Sequence, residues 1–555
     1  MQINLPSNIS GTSMSPRSIS YVNNYYDIGG VLAPRRGIRE EGFYSNTGII
    51  EEVNPIESRG LMVSADGTRM YAVVGNLLFR VYPKNTPQNG AFVSISLGVE
   101  SMDGDLNYNV SYAVGFTGIA ICTGETNFFL DTSNDTIAKI ADPDLPAAIS
   151  VSYIDGRFVY VAADGSSVYY SEVNDATDVS ALSFFDAESR PDINVKSAVI
   201  GNDLYIFAAE SVERFRNVGP ATAPFVRVSN SILSIGYIGG MIELTDSVVF
   251  IGRRRGFGYG IFRLSGSTIT EVSTPTINEM LNETGSSGIQ PAAASLDSQL
   301  KTVKAQTFTE YGLEIVAFSF VRTTGLAVSA LCIYAAVTPQ GLNWGFLSDN
   351  PDNTYTRFDQ WGLIGLNSST GLGAAEADEI NRGFSFVNSV SFGDRYYFQR
   401  DYSYAITGLY AQDLGSYDSA TPFSETLSER VSYGARFSIP VADRKNIAIN
   451  SVEVYFNKEN FMNEPTAGSV IGDENDIVNL RVSRTGVGYG HQSITPNLAN
   501  QDWSDKISVA FGTTPTNGRV LFAPSGGIVA SDGHLSMIIE TNSPTAFAIE
   551  GVVIK

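Results

Sequence analysis

The feature that most constrains the fold is a β-strand pattern that recurs at nearly constant intervals. Short runs of Tyr, Phe, Val and Ile are bounded by Gly, Asp, Asn and Ser. The first strands of the recurring units centre near Tyr71, Ile119, Val159, Tyr205, Val249, Val316 and Tyr397. The first five lie 48, 40, 46 and 44 residues apart, and the last two intervals are 67 and 81 residues. Because four-stranded propeller blades repeat every ~40–50 residues, the spacing favours a β-propeller over a pair of β-sandwiches.

The whole chain is therefore predicted to be all-β, with a propeller flanked by smaller parts. We predict a six-bladed, or alternatively a seven-bladed, β-propeller over residues 39–412, after an N-terminal extended arm over 1–38. Residues 413–428 collect Ser, Thr, Asp and Pro, which is typical of a linker. Residues 429–555 contain six further strand-like runs and are predicted to form a C-terminal β-sandwich-like domain.

Local signals place some elements within this frame. The pair Asp164-Gly165 predicts a tight hairpin turn, because both residues tolerate positive φ. One helix is predicted over Pro275–Leu281, with Thr274 as its N-cap and Pro at the first helical position. The two long intervals contain stretches with the character of insertions, 282–300 and 346–382.

Charge and hydropathy exclude several classes of protein. The chain has 36 Lys and Arg against 58 Asp and Glu, a formal net charge of −22. DNA affinity comes mainly from neutralising phosphates, so tight nucleic-acid binding by the whole surface is not expected. The longest apolar stretch, 312–337, is interrupted by Arg322 and predicts no membrane helix. The polar N-terminus predicts no secretory signal.

The sequence predicts no catalytic residue, metal or cofactor, and we predict that the protein is not an enzyme. Cys122 and Cys332 both lie in apolar runs, which favours small core residues over nucleophiles. His491 and His534 lie in Gly-flanked segments without the spacing of paired metal ligands. No nucleophile elbow, phosphate-binding loop or dinucleotide-binding motif occurs.

An alternative function remains open at this point: a glycan-binding or glycan-cleaving β-propeller, acting as a receptor-binding protein or hydrolase. The turns at Asp66 and Asp164 resemble the Asp-Gly turns of sialidase-like propellers, although no Trp follows either turn. Exposed aromatic residues such as Trp344 or Trp361 could contact sugars.

Two basic clusters are candidates for contact with a partner or with DNA. Arg253, Arg254 and Arg255 occur together where a hairpin tip is expected, and Arg35 and Arg36 form a second cluster. The guanidinium fork suits both phosphate and carboxylate, so these clusters are either solvated loops or local contact sites. The overall acidity would suit a conduit through which DNA slides without being held.

The chain resembles the packaged-DNA stabilisation proteins of short-tailed bacteriophages, also described as tail accessory, tail hub or head-completion proteins. The most recognisable segment is the string formed by Ala187, Glu188, Ser189, Arg190, Pro191 and Asp192. Further similarity surrounds it in the segments Arg157-Phe158, Val212–Phe215, Gly236–Gly240 and Thr276–Leu281, and returns over Ile538–Lys555.

The resemblance implies a propeller followed by a smaller β-domain. It implies no catalytic residue in this chain. It also implies structural roles for Ala187, Glu188, Ser189, Pro191 and Asp192. It implies a virion protein of the phage tail, made in the bacterial host cytoplasm. Six copies would form a ring, or nozzle, beneath the portal and adaptor proteins and close the head after DNA packaging. A tail needle, fibre or tailspike would attach, and double-stranded DNA would pass through without sequence-specific binding. No integral membrane contact is expected.

Overall fold

The computed structural model is almost entirely β-structure. Its central part covers 58–84, 93–97, 102–103, 109–187, 192–219, 223–229, 231–254, 258–282, 300–324, 327–338, 341–347, 386–400 and 408–412. Before these it describes 2–4, 21–23, 25–28, 31–34 and 38–44. After them it describes 417–419, 428–430, 433–440, 447–457, 477–483, 507–510, 519–522, 528–530, 534–541 and 548–554. The statements below concern these residues.

Five short strands precede the first blade. They are Gln2–Asn4 (β1), Tyr21–Asn23 (β2), Tyr25–Ile28 (β3), Val31–Pro34 (β4) and Ile38–Phe43 (β5).

Five antiparallel four-stranded sheets then follow in order along the chain, and each is one blade. Blade 1 contains Ser58–Val63 (β6), Met70–Val74 (β7), Leu77–Tyr82 (β8) and Val93–Ser96 (β9). Blade 2 contains Ser111–Val114 (β10), Ile119–Cys122 (β11), Asn127–Asp131 (β12) and Thr136–Lys139 (β13). Blade 3 contains Ala148–Ile154 (β14), Arg157–Ala162 (β15), Val168–Tyr170 (β16) and Phe184–Phe185 (β17). Blade 4 contains Asn194–Ile200 (β18), Asp203–Ala208 (β19), Val212–Asn217 (β20) and Phe225–Arg227 (β21). Blade 5 contains Gly236–Glu243 (β22), Val248–Arg254 (β23), Gly258–Ser265 (β24) and Thr268–Glu271 (β25), followed by the helix Pro275–Asn282 (α1).

Two further blades complete the propeller. Blade 6 contains Lys304–Glu310 (β26), Leu313–Thr324 (β27), Ala327–Thr338 (β28) and Gly341–Leu347 (β29). Blade 7 contains Phe386–Phe392 (β30), Arg395–Arg400 (β31) and Gly408–Gln412 (β32). Its fourth strand is β5, which pairs antiparallel with β32, so that Ile38 lies opposite Gln412. The propeller therefore has seven blades, and the N-terminal part of the chain closes the last one.

The remaining strands follow the propeller. They are Tyr417–Ser419 (β33), Ser428–Arg430 (β34), Tyr433–Pro440 (β35), Ile447–Ile449 (β36), Val452–Asn457 (β37), Ile477–Ser483 (β38), Ile507–Ala510 (β39), Arg519–Phe522 (β40), Ile528–Ala530 (β41), His534–Thr541 (β42) and Ala548–Ile554 (β43).

The N-terminal strands pair with these C-terminal strands. β1 and β4 both pair with β43, and β2 lies between β29 of blade 6 and β35. The outer edge of blade 6 is thereby extended into a nine-stranded sheet that runs through β42 and β38 to β39. Residues 1–38, predicted as an extended arm, thus supply strands that connect the propeller to the C-terminal strands. Residues 413–428, predicted as a linker, include β33, which pairs with β34.

The predicted spacing identified the right repeat but the wrong strand within it. The seven predicted centres lie in β7, β11, β15, β19, β23, β27 and β31, and each of these is the second strand of its blade. The second strand is flanked on both sides by other strands, and in blades 1 to 5 it contains the longest run of apolar residues. In blade 3, all six residues of β15 are buried. In blades 1 to 4 and in blade 6, the first strand carries a larger share of polar residues than the second, which is why the sequence pattern passed over it.

Buried apolar side chains between neighbouring blades form the cores. One cluster lies between blades 2 and 3 and contains Cys122, Phe158 and Tyr160. Another lies between blades 6 and 7, where Tyr26 of β3 packs edge-on against Tyr334 at a ring-centroid distance of 5.2 Å. Both cysteines are buried and free, and burial raises the pKa of the Cys122 thiol. The prediction that the two cysteines are core residues is confirmed.

Two faces of the propeller follow from the strand order. Turns from first to second strand and from third to fourth strand lie at one end, which we call the upper face. Turns from second to third strand, and the connections from one blade to the next, lie at the opposite end, the lower face. The helix α1 lies on the lower face, because it follows the last strand of blade 5. None of the helices in the described part of the chain is long and apolar enough to cross a membrane.

Candidate partner-binding surfaces

Two residues of the recognisable string, Ala187 and Asp192, lie on the lower face, at the two ends of the connection from blade 3 to blade 4. Ala187 is buried between these blades. Asp192 accepts hydrogen bonds at Oδ2 from the Glu210 backbone N–H (3.0 Å) and from the Ser211 hydroxyl (2.9 Å). These donors belong to the turn from second to third strand of blade 4, so Asp192 holds that turn against the connection. Glu188, Ser189 and Pro191 lie outside the described residues.

The same connection is bonded to the turn at Asp164-Gly165 of blade 3. The Asn194 side-chain amide donates to the Gly165 carbonyl at 3.1 Å. Gly165 has a φ of +71°, and a Cβ there would lie inside van der Waals contact of Ile193 and 2.8 Å from the Asn194 carbonyl oxygen. The turn thus needs glycine for both its backbone angle and its close packing. These contacts join the connection between blades 3 and 4 to turns of both blades.

The arginine cluster lies at the lower-face turn of blade 5, as its predicted hairpin position implied. Arg253 and Arg254 are the last residues of β23, where they pair with Tyr259 and Gly258, and Arg255 lies outside the described residues. The Arg254 guanidinium forms an ion pair with Glu271 at 3.1 Å. It also lies 5.2 Å from the centroid of the Phe262 ring. We call Arg253–Arg255 the arginine hairpin.

The helix α1 fixes the base of this hairpin. Thr274 caps the helix, since its hydroxyl accepts a hydrogen bond from the Ile277 backbone N–H at 3.3 Å. Asn278 donates to Glu271 at 2.5 Å, and Asn282 both donates to the Tyr259 carbonyl and accepts from its N–H, each at 2.9 Å. The predicted helix and its cap are confirmed, and the helix extends one residue further than predicted, to Asn282.

The second predicted basic cluster, Arg35 and Arg36, lies outside the described residues. The strand that follows it begins at Ile38, opposite Gln412 at the upper face. The main segments of the two predicted insertions, 283–299 and 348–382, are also outside the described residues.

The two Asp-Gly turns do not form one site. The turn at Asp66 joins the first and second strands of blade 1 and lies on the upper face, whereas the turn at Asp164 lies on the lower face. Asp66 accepts hydrogen bonds from Ser64 (2.5 Å) and Thr68 (2.7 Å), which lower its pKa to about 2. Asp164 accepts from the Ser166 hydroxyl at 2.7 Å. Each carboxylate is thus bonded within its own turn.

The aromatic residues considered for sugar contact do not add to such a site. Trp344 is buried between blades 5 and 6 and donates its indole N–H to the Val272 carbonyl at 2.7 Å. Trp361 is outside the described residues. Within the described part of the chain, no group of three or more His, Cys, Asp or Glu is arranged to hold a metal ion.

Lysine side chains tie non-adjacent blades together near the propeller axis. Lys196, in the first strand of blade 4, donates to the Ser111 hydroxyl of blade 2 at 3.0 Å. Lys304, in the first strand of blade 6, donates to the Ser58 carbonyl of blade 1 at 2.5 Å. Burial lowers the pKa of Lys196, and the facing Glu243 opposes that shift. Lysine side chains therefore link the first strands of blades that are not neighbours.

A second arginine site, which the sequence patterns above did not indicate, lies on the upper face of blade 4. Asp203 accepts hydrogen bonds from Arg214 and Arg216, with 2.7 Å between its Oδ1 and Nε of Arg216. Nη1 of Arg214 also donates to the Ser267 hydroxyl of blade 5 at 3.0 Å. We call this group the arginine pair. Its sequence signal was the alternation of Arg and apolar residues in Val212–Asn217, which places both arginines on one side of a strand.

Two solved structures are among those to which the chain is similar. The chain is similar over 68% of its length to 96% of the WD40 domain of Neurospora crassa Pan2, with 9% identity and a TM-score of 0.39. It is similar over 68% of its length to 96% of the N-terminal domain of Nup159, with 7% identity and a TM-score of 0.36. No match was found among curated protein sequences.

One protein-family model matches the sequence, and its description reads "Bacteriophage P22 Gp10, beta-propeller". The match covers residues 22–302, a little over half of the chain. It runs from β2 to the end of blade 5 and includes the string at 187–192, the arginine pair and the arginine hairpin. It begins earlier along the chain than the first segment named for the resemblance, Arg157-Phe158, and Ile538–Lys555 lies outside it. From this match and the propeller architecture, we conclude that the chain belongs to the bacteriophage P22 Gp10 β-propeller family, whose members are structural proteins of the phage particle.

Proposed function

We propose that the protein is a non-enzymatic structural component of the phage tail, a tail hub or nozzle. It attaches below the portal and adaptor rings, closes the head after DNA packaging, retains the genome and forms part of the channel for DNA ejection. The observation that carries this proposal is the family match, which spans five of the seven blades.

The construction of the propeller supports a role under mechanical pressure. Closing seven sheets into a ring leaves few strand edges free, and β5 ties the last blade to the N-terminal part of the chain. Lys196 and Lys304 add hydrogen bonds between non-adjacent blades. A body built this way resists deformation under the pressure of packaged DNA. Because lysine side chains link the first strands around its axis, we infer that DNA passes between copies of the protein and not along the axis of one propeller.

The proposed partners follow from this role. We propose a homo-oligomer, a hexameric ring in the virion, that contacts the portal and adaptor proteins on one side. A tail needle, fibre or tailspike docks on the other side. Double-stranded DNA passes the ring without sequence-specific binding, which the net charge of −22 supports, since an acidic wall does not hold phosphates.

The function is tested in phage particles that lack the protein. We expect such particles to package DNA and then lose it, because the head is not closed. Antibody raised against the purified chain, used with immunogold electron microscopy, should label the vertex between head and tail. Full, infectious particles without the protein would contradict the proposal, as would label at the fibre tips alone.

Within this function, we propose that the arginine hairpin contacts carboxylates of a partner protein or DNA phosphates. Glu271 and the Phe262 ring hold Arg254 in place, so that its guanidinium is pre-positioned. Replacing Arg253, Arg254 and Arg255 together with Ala should impair particle assembly or DNA retention while leaving the unfolding temperature within a few degrees of the original. The control is Arg395→Ala, which removes an exposed arginine from the upper-face turn of blade 7. Normal particles with the triple change would show that the hairpin is only a solvated loop.

A further inference from the structure

Charge is segregated between neighbouring blades of the propeller. Residues 140–187, which contain the four strands of blade 3, have eight Asp or Glu and a single basic residue, Arg157. Arg157 is buried and donates to the Ser171 carbonyl at 2.5 Å, so it offers no positive charge to solvent. Residues 190–265, which form blades 4 and 5, contain nine Lys or Arg and six Asp or Glu. An acidic blade therefore stands beside two blades with a basic excess.

The arginine pair on blade 4 contributes an exposed part of this basic excess. Two guanidinium groups share the single carboxylate of Asp203, whose side chain is only 8% exposed. Arg216 uses Nε and Nη2 for this contact and is 51% exposed, and its Nη1 has no hydrogen-bond partner within the described part of the chain. The group thus carries one uncompensated positive charge and a free donor that faces solvent. This geometry suits one further carboxylate.

Exposed carboxylates, opposite in charge to the arginine pair, lie on the loop that follows the third strand of blade 3. Asp175 and Asp178 are both exposed. Asp175 is bonded locally to Thr177 at 2.7 Å, whereas the carboxylate of Asp178 has no hydrogen-bond or ion-pair partner among the described residues. The loop is held in shape by the Val179 backbone N–H, which donates to Asp142 at 2.8 Å, and by the hydroxyl of Tyr160, which donates to the Ala176 carbonyl at 2.9 Å. The acidic side chains are therefore presented from an ordered segment.

Exposed apolar side chains border both groups. On blade 3, Val173 is 53% exposed and Leu182 is 83% exposed. On blade 4, Val218 is 52% exposed, and Val226, which pairs across the ladder with Arg216, is 50% exposed. Charge flanked by apolar surface is the composition of a protein–protein contact, because apolar burial supplies affinity and the charges set the register.

The two surfaces point in different directions. The acidic loop packs at the junction of blades 2 and 3, where Val179 contacts Asp142, and the arginine pair packs at the junction of blades 4 and 5, where Arg214 contacts Ser267. They are two blades apart, a little over a quarter of the way around the propeller. Two separate surfaces of this kind can join successive copies head to tail, which is the type of contact that closes a ring.

We propose that the arginine pair of one copy binds the acidic loop of a second copy, with Arg216 against Asp178. This inference rests on the proposed oligomeric function and names the surfaces through which copies meet. The contact is heterologous, so each copy offers one surface to each of its two neighbours.

The test is a charge swap, read by sedimentation velocity of the purified full-length chain at low ionic strength. We expect the unmodified chain to associate as its concentration rises, and to dissociate in about 1 M salt, where the Debye length is only ~3 Å. Asp178→Arg and Arg216→Glu should each raise the dissociation constant by about tenfold or more, because like charges then face each other. A chain carrying both changes should associate nearly as well as the original, because the pair is restored with reversed sign.

Controls separate this contact from loss of fold and from general charge effects. Glu125→Arg reverses an exposed charge on the lower face of blade 2 and should leave association unchanged. Arg216→Ala leaves the Arg214–Asp203 ion pair in place and should weaken association if Arg216→Glu proves unstable. A chain that stays monomeric at every concentration, or a double change that fails to restore association, overturns the inference. Neither result bears on DNA retention, which is measured separately in particles that lack the protein.

Discussion

At the scale of single residues, backbone angle and packing together decide which positions are irreplaceable. Gly165 and Gly266 both lie in hairpin turns with positive φ, at +71° and +57°. They differ in surroundings: a Cβ on Gly266 would meet nothing within 4 Å, whereas one on Gly165 would press into the connection between blades 3 and 4.

This pair of glycines supplies the first prediction. Gly266→Ala should lower the free energy of unfolding by about 1 kcal/mol, the strain of a left-handed backbone with a Cβ. Gly165→Ala should lower it by roughly 3 kcal/mol, because overpacking adds to the same strain. Urea denaturation followed by tryptophan fluorescence measures both. Equal losses at the two positions would show that the contact with Ile193 and Asn194 relaxes at no cost.

Asp66 supplies a prediction about pH. Its pKa of about 2 lies below the ordinary value of 3.8, because Ser64 and Thr68 hydrogen-bond to the ionised carboxylate. A group whose pKa is lowered on folding contributes stability above its unfolded pKa, and this contribution is lost as the pH falls through its folded pKa. Asp66→Asn should therefore be less stable than the original chain at pH 6, and the difference should shrink between pH 4 and pH 2.

Urea unfolding at a series of pH values tests this behaviour. Glu125→Gln, which changes an exposed carboxylate on the lower face, is the matched control and should follow the original chain throughout. A difference between Asp66→Asn and the original chain that stays constant from pH 6 to pH 2 would show that the Asp66 charge contributes nothing.

At the scale of elements, several blades share a side-chain interaction that anchors the upper end of the second strand. An arginine in the third strand reaches back to that end in three blades. Arg80 donates to the Met70 carbonyl at 3.2 Å, Arg214 bonds Asp203, and Arg263 donates to the Ser247 hydroxyl at 2.9 Å. The anchored ends carry the upper-face turns, so the interaction holds those turns in register. In blade 4 this interaction involves two arginines and one carboxylate, so the arginine pair keeps one positive charge that is not neutralised.

The helix α1 supplies a prediction at this scale. It has eight residues, too short to be stable alone, and depends on its cap and on its contacts with β24. Thr274→Ala removes the acceptor for the Ile277 N–H and should lower the free energy of unfolding by about 1 kcal/mol. Thr274→Ser keeps the acceptor and should be nearly neutral. A loss of similar size in both variants would indicate that the threonine methyl group, and not the cap, stabilises the segment.

At the scale of the whole molecule, the N-terminal segment holds the structure closed. Strand β5 completes blade 7, and β1, β2 and β4 pair with strands from the C-terminal part of the chain. Without β5, the outer edge of β32 is unpaired. Buried residues of blades 7 and 1, including Leu409 and Met70, lie in the core cluster beside it.

Two truncations separate these contributions. Removing residues 1–43 should increase hydrogen exchange along β30–β32 by at least about tenfold, because blade 7 then lacks its fourth strand. Removing residues 1–37 keeps β5 and should leave exchange in blade 7 much closer to the original. Hydrogen exchange with mass spectrometry measures both. Protection of blade 7 that is identical in the two truncated chains would show that closure does not depend on β5.

The sequence by itself determined the class of fold, because that information is local. Strand periodicity, Asp-Gly turns and the Thr274-Pro275 helix start are properties of a few consecutive residues, so the turn at Asp164-Gly165 and the helix α1 were predicted close to where they lie. The spacing of apolar strands left six and seven blades open. The string at 187–192 indicated the family from its residues alone, because it is a run of consecutive residues that can be recognised without the structure.

Tertiary structure alone decided what depends on distant residues meeting. The seventh blade takes a strand from residues 38–43, which is far along the chain from its partner at 408–412, and no local pattern records such a pairing. The arginine pair forms only when β19 and β20 pair in one register, which brings two guanidinium groups to one carboxylate. The separation of Asp66 from Asp164 onto opposite faces likewise follows from strand order. Local sequence specifies what each strand is, whereas long-range pairing specifies which side chains share a surface.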